Sequence, residues 1–361
     1  MVKLTFTGPL SLRLRSFATL SQIATKVYLR HAFNKRIAPD WDANTEIGIR
    51  FVRHQFTAAM THQDIAKGRL LFDSVQTETD DQYDVTTEPS TNPMGTWYYP
   101  KTIRTETKLL YLHGGGYTFH GGVSDRFAAM LAHHTGNVLF APHYRLTPEH
   151  PHPAQAEDAL EAWTYMTRKT APKNIVTIGD SAGGHMALML LQTLRKEGLD
   201  QPALCIGLCP WTDIGERGAS LRDNDRYDLV QGWMALKFGE WLDPGNKFGR
   251  ETLSPIFQDF SGLAPIYLQA GGREMLRDMI VEFAQIQRSK GADVTLDLWS
   301  DMPHVFQAYD SLTESSSMAL NRIATVIKAR AENNTHFQSL EEITVGSNYP
   351  KNQSETGRAS A

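Results

Sequence analysis

Cysteine is almost missing from this sequence: Cys205 and Cys209 are the whole supply. They share the apolar run Ala203-Leu-Cys-Ile-Gly-Leu-Cys-Pro210. In a strand, residues four apart share a face but stand roughly 13 Å apart along it, beyond disulfide reach. A Cys-x3-Cys pair without further ligands is also a poor zinc pattern. Both are expected as buried core thiols, and their scarcity fits a reducing compartment. Long hydrophobic runs are missing too: no stretch reaches the ~18 apolar residues a membrane-crossing helix needs. A large charge imbalance is also lacking. The formal net charge is −4, which gives no reason to expect nucleic-acid binding.

Acidic residues are absent from Met1 to Pro39, a stretch that carries seven Lys or Arg. Arg13 and Arg15 interrupt any signal-peptide core there. The expectation is a cytoplasmic protein whose N-terminus forms a helical cap segment with a basic outer face. An organellar presequence, or peripheral membrane contact through residues 1–39, stays open. Two sequons, Asn333-Asn-Thr335 and Asn352-Gln-Ser354, are read as chance matches without a secretion signal.

What is present is an alternation of short apolar runs and amphipathic segments. Strands are expected at Leu70–Val75, Gly95–Tyr99, Lys108–His113, Asn137–Pro142, Asn174–Gly179, Ala203–Leu208, Pro265–Ala270 and Val294–Trp299. Helices are expected at Ser124–Thr135, Pro153–Thr170, Ala182–Glu197, Met275–Lys290 and His304–Ala331. The runs from Lys108 onward are continuous rather than alternating, as in a sheet covered on both faces. This predicts an α/β fold with a mostly parallel eight-stranded sheet, helices on both faces and an antiparallel early edge. The expected divisions are a helical cap segment at 1–65 and a main α/β domain at 66–332. A cap insertion at 213–253 carries Trp233, Met234, Phe238 and Trp241, and a polar disordered tail occupies 333–361.

Three motifs carry chemistry. Gly179-Asp-Ser-Ala-Gly183 follows an expected strand and opens an expected helix, the context in which Gly-x-Ser-x-Gly forms a nucleophile elbow with Ser181 at its tip. His113-Gly-Gly-Gly-Tyr117 follows another strand. Glycines there can present backbone N–H groups to a tetrahedral oxyanion, and lipases and esterases use such a loop. Gly115, Gly116 and the residue after the nucleophile, Ala182, are the candidate donors. A phosphate cradle is disfavoured, because neither a P-loop Lys-Ser/Thr nor dinucleotide spacing is present.

In this kind of site the chain order is nucleophile, acid, base. Of thirteen histidines only His304 and His336 lie beyond the elbow's own helix, and His336 falls in the tail. His304, just after the last main strand, is therefore the candidate base. The acid must follow strand Pro265–Ala270, where Glu274 and Asp278 stand. Glu274, nearer the strand end, is the first candidate, and Asp278 is the alternative or a supporting group behind it.

These segments resemble the hormone-sensitive-lipase-like branch of the α/β-hydrolases. The resemblance rests on the two glycine motifs together with Tyr144–Pro153, Pro210-Trp-Thr-Asp213, Leu276-Arg-Asp278 and Met302-Pro-His-Val-Phe306, and spans roughly residues 70–330. The family's Asp/Glu-x-Leu-x-Asp pattern maps onto Glu274–Asp278, which favours Glu274; Asp is the commoner acid there. The resemblance implies a serine carboxylesterase or acetyl-hydrolase that works without metal or cofactor on a small-molecule ester. It also implies a helical cap, built from 1–65 and 213–253, that shapes the pocket. The expected substrates are esters with short-to-medium acyl chains, or acetylated small molecules. Lactone or amide hydrolysis would use the same machinery, and Tyr117 and Phe119 suggest an apolar or ring-bearing substrate. A non-catalytic ligand receptor on this scaffold would lack a member of the Ser–acid–His set, and all three are present. Monomer and homodimer both remain open. Tyr144, Arg145, Glu149, Asp158, His113 and His185 are expected to serve structure.

Overall fold

Apolar runs without alternation need cover on both faces, and helices supply it. The computed structural model describes residues 4–77, 83–310, 313–331 and 344–345. It opens with β1 (Leu4–Phe6), α1 (Leu10–Ala32), α2 (Ala43–Met60), α3 (Ile65–Asp73) and β2 (Val75–Thr77), the two strands pairing antiparallel. Next come β3 (Val85–Thr91), β4 (Met94–Pro100), β5 (Lys108–Leu112), α4 (Gly122–Thr135), β6 (Leu139–Pro142), α5 (Ala154–Thr167), β7 (Ile175–Asp180), α6 (Ala182–Lys196) and β8 (Leu204–Leu208). Helices α7 (Ser220–Asp223), α8 (Gly232–Leu242) and α9 (Arg250–Leu253) precede β9 (Ile266–Gly271) and α10 (Arg277–Ser289). The last elements are β10 (Val294–Trp299), α11 (Glu314–Ala331) and β11 (Thr344–Val345).

The main sheet runs in the order β11-β10-β9-β8-β7-β5-β6-β4-β3. The pairs β3–β4 and β4–β6 are antiparallel and the others parallel. Eight strands make the expected sheet, and two-residue β11 adds a ninth at the edge, against Leu298 and Trp299. The alternation of strand faces divides the core. Leu109 and Tyr111 pack with α4 and α11, whereas Leu110 and Leu112 pack with α5, α6 and α10.

Two strand expectations are corrected. Leu70–Ser74 is the end of α3 and the turn after it, not a strand, and only Val75 is in a strand, as the first residue of β2. A short apolar run does not distinguish strand from helix, and the Asp64 carboxylate, accepting from the Ala66 and Lys67 N–H groups, caps this one as a helix. Strand β3, Val-Thr-Thr-Glu-Pro-Ser-Thr, was not expected: it is a polar, largely exposed edge strand with no hydrophobic signal. The tail and both sequons lie outside the described residues, apart from Thr344–Val345. No described helix is long and apolar enough to cross a membrane.

The parallel strands all end on one side, so the loops after β5, β7, β9 and β10 converge there. Helices α2 and α8 close over them through packed rings, with Phe56 and Phe119 centroids 5.1 Å apart and Phe119 and Phe238 6.3 Å apart. The long segment between β8 and β9 is pinned at both ends by Asp213. Its buried carboxylate accepts from Arg217 Nε at 2.5 Å, Arg250 Nε at 2.7 Å and the Gly215 N–H at 2.9 Å. Asp213→Ala leaves two half-buried guanidinium groups without this partner. It is expected to cost about 3 kcal/mol, read as a lower urea midpoint with unchanged slope.

Candidate active site

Ser181 sits between β7 and α6 with φ 52° and ψ −118°, a left-handed conformation that is strained for a residue with a side chain. The turn is so tight because α6 starts against the end of β5. A Cβ on Gly183 would overlap the Leu112 carbonyl oxygen, so only glycine fits. The Ser181 N–H donates to the Leu208 carbonyl at 2.9 Å, which holds the turn against β8.

The loop after β5 lies alongside. Gly115 and Gly116 have φ of 98° and 62°. Among the described residues, no acceptor takes the N–H of Gly115, Gly116 or Ala182. The loop is held from behind. The Asp180 carboxylate accepts from the Gly114 N–H at 2.9 Å and from the Tyr111 hydroxyl at 2.7 Å, which ties the glycine loop to the Ser181 turn. His113 stacks on Tyr144 with centroids 4.0 Å apart, and the Tyr144 hydroxyl donates to the His113 carbonyl at 2.7 Å. The Tyr117 hydroxyl donates to His185 Nδ1 at 2.5 Å, and His185 Nε2 donates to the Leu253 carbonyl at 2.6 Å. Arg145 pairs with Asp158 and Glu157 of α5, and Arg69 of α3 with Glu149, so these side chains tie the loop after β6 to two helices.

His304 reaches both remaining candidates. Its Nε2 stands 2.8 Å from Ser181 Oγ and its Nδ1 2.7 Å from Glu274 Oε2. The other Glu274 oxygen accepts from the Gly271 N–H at 2.7 Å. Glu274 is fully buried and His304 nearly so. Burial opposes a charged imidazole, but the hydrogen bond and charge of Glu274, with Asp228 and Asp180 nearby, outweigh it and raise the His304 pKa. Asp278 is elsewhere: in the first turn of α10, its carboxylate accepts from the Ser220 N–H at 2.8 Å and pairs with Arg277. It therefore anchors α7 to α10 and does not touch the base.

Sequence reasoning missed two carboxylates, Asp180 and Asp228. Asp180 was in plain view inside the Gly179–Gly183 motif. Asp228 gave no signal, because it lies in the long mid-chain segment far from any motif. Fully buried, it accepts from the Met275 N–H at 2.7 Å, the Leu229 N–H at 2.7 Å and the His304 N–H at 3.2 Å. One side chain thus links the Glu274 loop to the His304 loop. Burial pushes its pKa up to about 6, with His304 opposing and Glu274 adding to the rise. Cys209, also buried, accepts the Val305 N–H at 3.3 Å. Its Sγ, a Glu274 oxygen and a His304 nitrogen lie within 4.8 Å of one another. Burial, reinforced by Glu274, raises the thiol well above its ordinary range, so it stays protonated and serves this cluster as a packed neutral group.

Ser181 and His304 open into a cavity of 790 Å³, within the range that encloses a drug-sized molecule. Its walls include Gly115, Gly116, Phe119 and Phe238, together with Phe51 and Phe56 of α2 and Leu20, Ala24 and Tyr28 of α1.

Residues 109–308 match the family model described as alpha/beta hydrolase fold. The structure superposes on the crystal structure of an esterase from the bacterial hormone-sensitive lipase family with a TM-score of 0.73 at 29% identity, covering 81% of this chain and 99% of that one. The chain belongs to the hormone-sensitive-lipase-like α/β-hydrolases. This α/β-hydrolase is also 34% identical over 221 residues to an acetyl-hydrolase of Streptomyces hygroscopicus, covering 59% of this chain and 72% of that protein. It is 29% identical over 230 residues to an esterase of Acinetobacter venetianus, covering 62% and 76%.

The electrostatics make a prediction. In the native hydrolase the His304 imidazole titrates above an ordinary histidine, because the anions around it favour its charged form. Asp228→Asn removes one of them, so the His304 pKa moves down; histidine proton NMR across pH 4–9 reads the shift. An unchanged value would mean that Asp228 acts on the loops alone.

Proposed function

We propose that this α/β-hydrolase is a serine carboxylesterase that works through an acyl-enzyme on Ser181. The observation that carries the reading is the hydrogen-bonded line Glu274–His304–Ser181, which ends in an apolar cavity beside three N–H groups that no acceptor takes among the described residues. The esterase and acetyl-hydrolase relatives support ester hydrolysis as the reaction.

In this mechanism Ser181 Oγ adds to the ester carbonyl carbon as His304 Nε2 takes the hydroxyl proton. Glu274 orients the imidazole and stabilises its positive charge. The N–H groups of Gly115, Gly116 and Ala182 bind the oxyanion. The carbon–alkoxide bond breaks, and His304 returns the proton to the departing alcohol. Water, deprotonated by His304, then attacks the acyl-enzyme; the carboxylic acid leaves and Ser181 regains its proton. The strain at Ser181 holds Oγ clear of the backbone and in line with the base. The sequence divisions fit this reading, since residues 1–65 and 213–253 serve as the cap that shapes the acyl and alcohol sides of the cavity. The substrates are esters with short-to-medium acyl chains or acetylated small molecules.

Location belongs to the same reading. Helix α1 turns Leu10, Leu14 and Phe17 to solvent, each at least 60% exposed, within the stretch that holds seven basic residues and no acid before residue 40. An amphipathic basic surface of this kind supports peripheral contact with anionic lipid.

Two experiments test the chemistry. Ser181→Ala abolishes hydrolysis of a p-nitrophenyl ester series from acetate to palmitate, and abolishes labelling by a fluorophosphonate, with circular dichroism unchanged; equal activity in that variant overturns the acyl-enzyme. Glu274→Gln keeps the shape but not the charge. Its kcat falls by about 10³–10⁴-fold, and the acidic limb of its pH–rate profile moves to lower pH. The sign follows from the raised His304 pKa: the base works only when neutral, so activity is lost as pH falls through that value, and removing the Glu274 charge lowers it.

A further inference from the structure

The glycine loop ends on a histidine that the reaction does not use. His120 stands four residues past Gly116 and just before α4. Its Nε2 is 3.8 Å from Asp125 Oδ1 in the first turn of α4. Its ring centroid is 5.0 Å from that of His143, the residue after β6. One ligating atom from each of these three side chains lies within 4.8 Å of the other two.

Two imidazoles and one carboxylate are the donor set that borderline d-block cations take, with zinc foremost; magnesium and calcium want oxygen alone. Zinc bonds of about 2.0–2.1 Å put neighbouring donors roughly 3.4 Å apart. Closing the group to that spacing asks for side-chain rotation rather than backbone movement. Asp125 and His143 are both exposed, which gives them that freedom.

The surroundings already orient the donors. The Tyr98 hydroxyl donates to Asp125 Oδ1 at 3.1 Å, and the Thr96 hydroxyl lies 3.2 Å from His143 Nε2. Partners of this kind fix the aim of ligands in metal sites. A second carboxylate stands close, since Asp73 accepts the Gly122 N–H at 2.8 Å. On the inner side the His113 ring is 4.5 Å from that of His120. The group therefore abuts His113, whose Nδ1 donates to the Gly114 carbonyl at 2.7 Å.

We propose that His120, Asp125 and His143 form a zinc site, with water as the fourth ligand, that clamps the outer end of the glycine loop to α4 and to the end of β6. The proposal stands apart from the esterase reading, because the zinc affinity and Tm that carry it are measured without turnover, and hydrolysis enters only as a control.

The test uses full-length protein stripped with a chelator and titrated with ZnCl2 by calorimetry, with MgCl2 as the hard-cation control and thermal unfolding in parallel. One equivalent of zinc and no magnesium is expected, with a rise of about 2–5 °C in Tm at saturating zinc. In His143→Ala and in Asp125→Asn, zinc affinity falls at least tenfold and the Tm rise disappears. Both substitutions are at exposed positions, and unchanged metal-free p-nitrophenyl acetate hydrolysis in His143→Ala verifies the fold. No stoichiometric binding by the native chain overturns the proposal. So does binding that survives His143→Ala while stopping hydrolysis, which would put the ion at Cys209, Glu274 and His304 instead.

Discussion

A carboxylate fully buried from solvent has to be answered by the protein, and Glu274 is such a group. Removing it from solvent costs several kcal/mol unless donors replace the water. One oxygen is answered by the Gly271 N–H and the other by His304 Nδ1, each at 2.7 Å. The second bond orients the imidazole ring so that Nε2 faces Ser181 Oγ at 2.8 Å. The buried carboxylate's own requirement for a donor therefore sets the aim of the imidazole. The same anion favours a charged His304 in a place where burial alone would keep it neutral.

That arrangement requires two loops, after β9 and after β10, to keep a fixed spacing. Neighbouring parallel strands set most of it, since Ala270 and Gly271 pair with Leu298 and Trp299. Asp228 sets the rest by accepting backbone N–H groups from both loops. It comes from the mid-chain segment that also supplies Phe238 to the cavity wall. The segment that supplies this cavity wall is thus mechanically joined to the His304 loop. Asp180 does the corresponding work on the other side, joining the glycine loop to the Ser181 turn. Asp228 spends its lone pairs on backbone N–H groups and Asp180 on the Gly114 N–H and the Tyr111 hydroxyl, so each buried carboxylate holds two pieces of chain in register.

Much of this was legible in the sequence. The Ser181 turn and the glycine loop were readable because tight backbone approach admits almost nothing but glycine. His304 followed from chain order, and Glu274 from its distance to the strand end. The misses have physical causes as well. Strand β3 faces solvent and so carries no hydrophobic pattern, while the run at Leu70 is helical because Asp64 caps it. Asp228 was invisible because its partners are backbone groups 47 and 76 residues away, a relation no local spacing encodes. Asp278 was a fair rival for Glu274 in one dimension; only the direction of α10 turns it away from the base.

The sequence by itself determined the alternation of strand and helix from β5 onward, the strained turn at Ser181, the glycine loop and His304 as the candidate base, because each depends on local backbone sterics, on strand periodicity or on chain order. Tertiary structure decided between Glu274 and Asp278 as the partner of His304, and it alone decided which other carboxylates brace it and how α1, α2 and α8 enclose a cavity over the strand ends. Those outcomes depend on where side chains distant in sequence meet when the sheet twists and its loops converge.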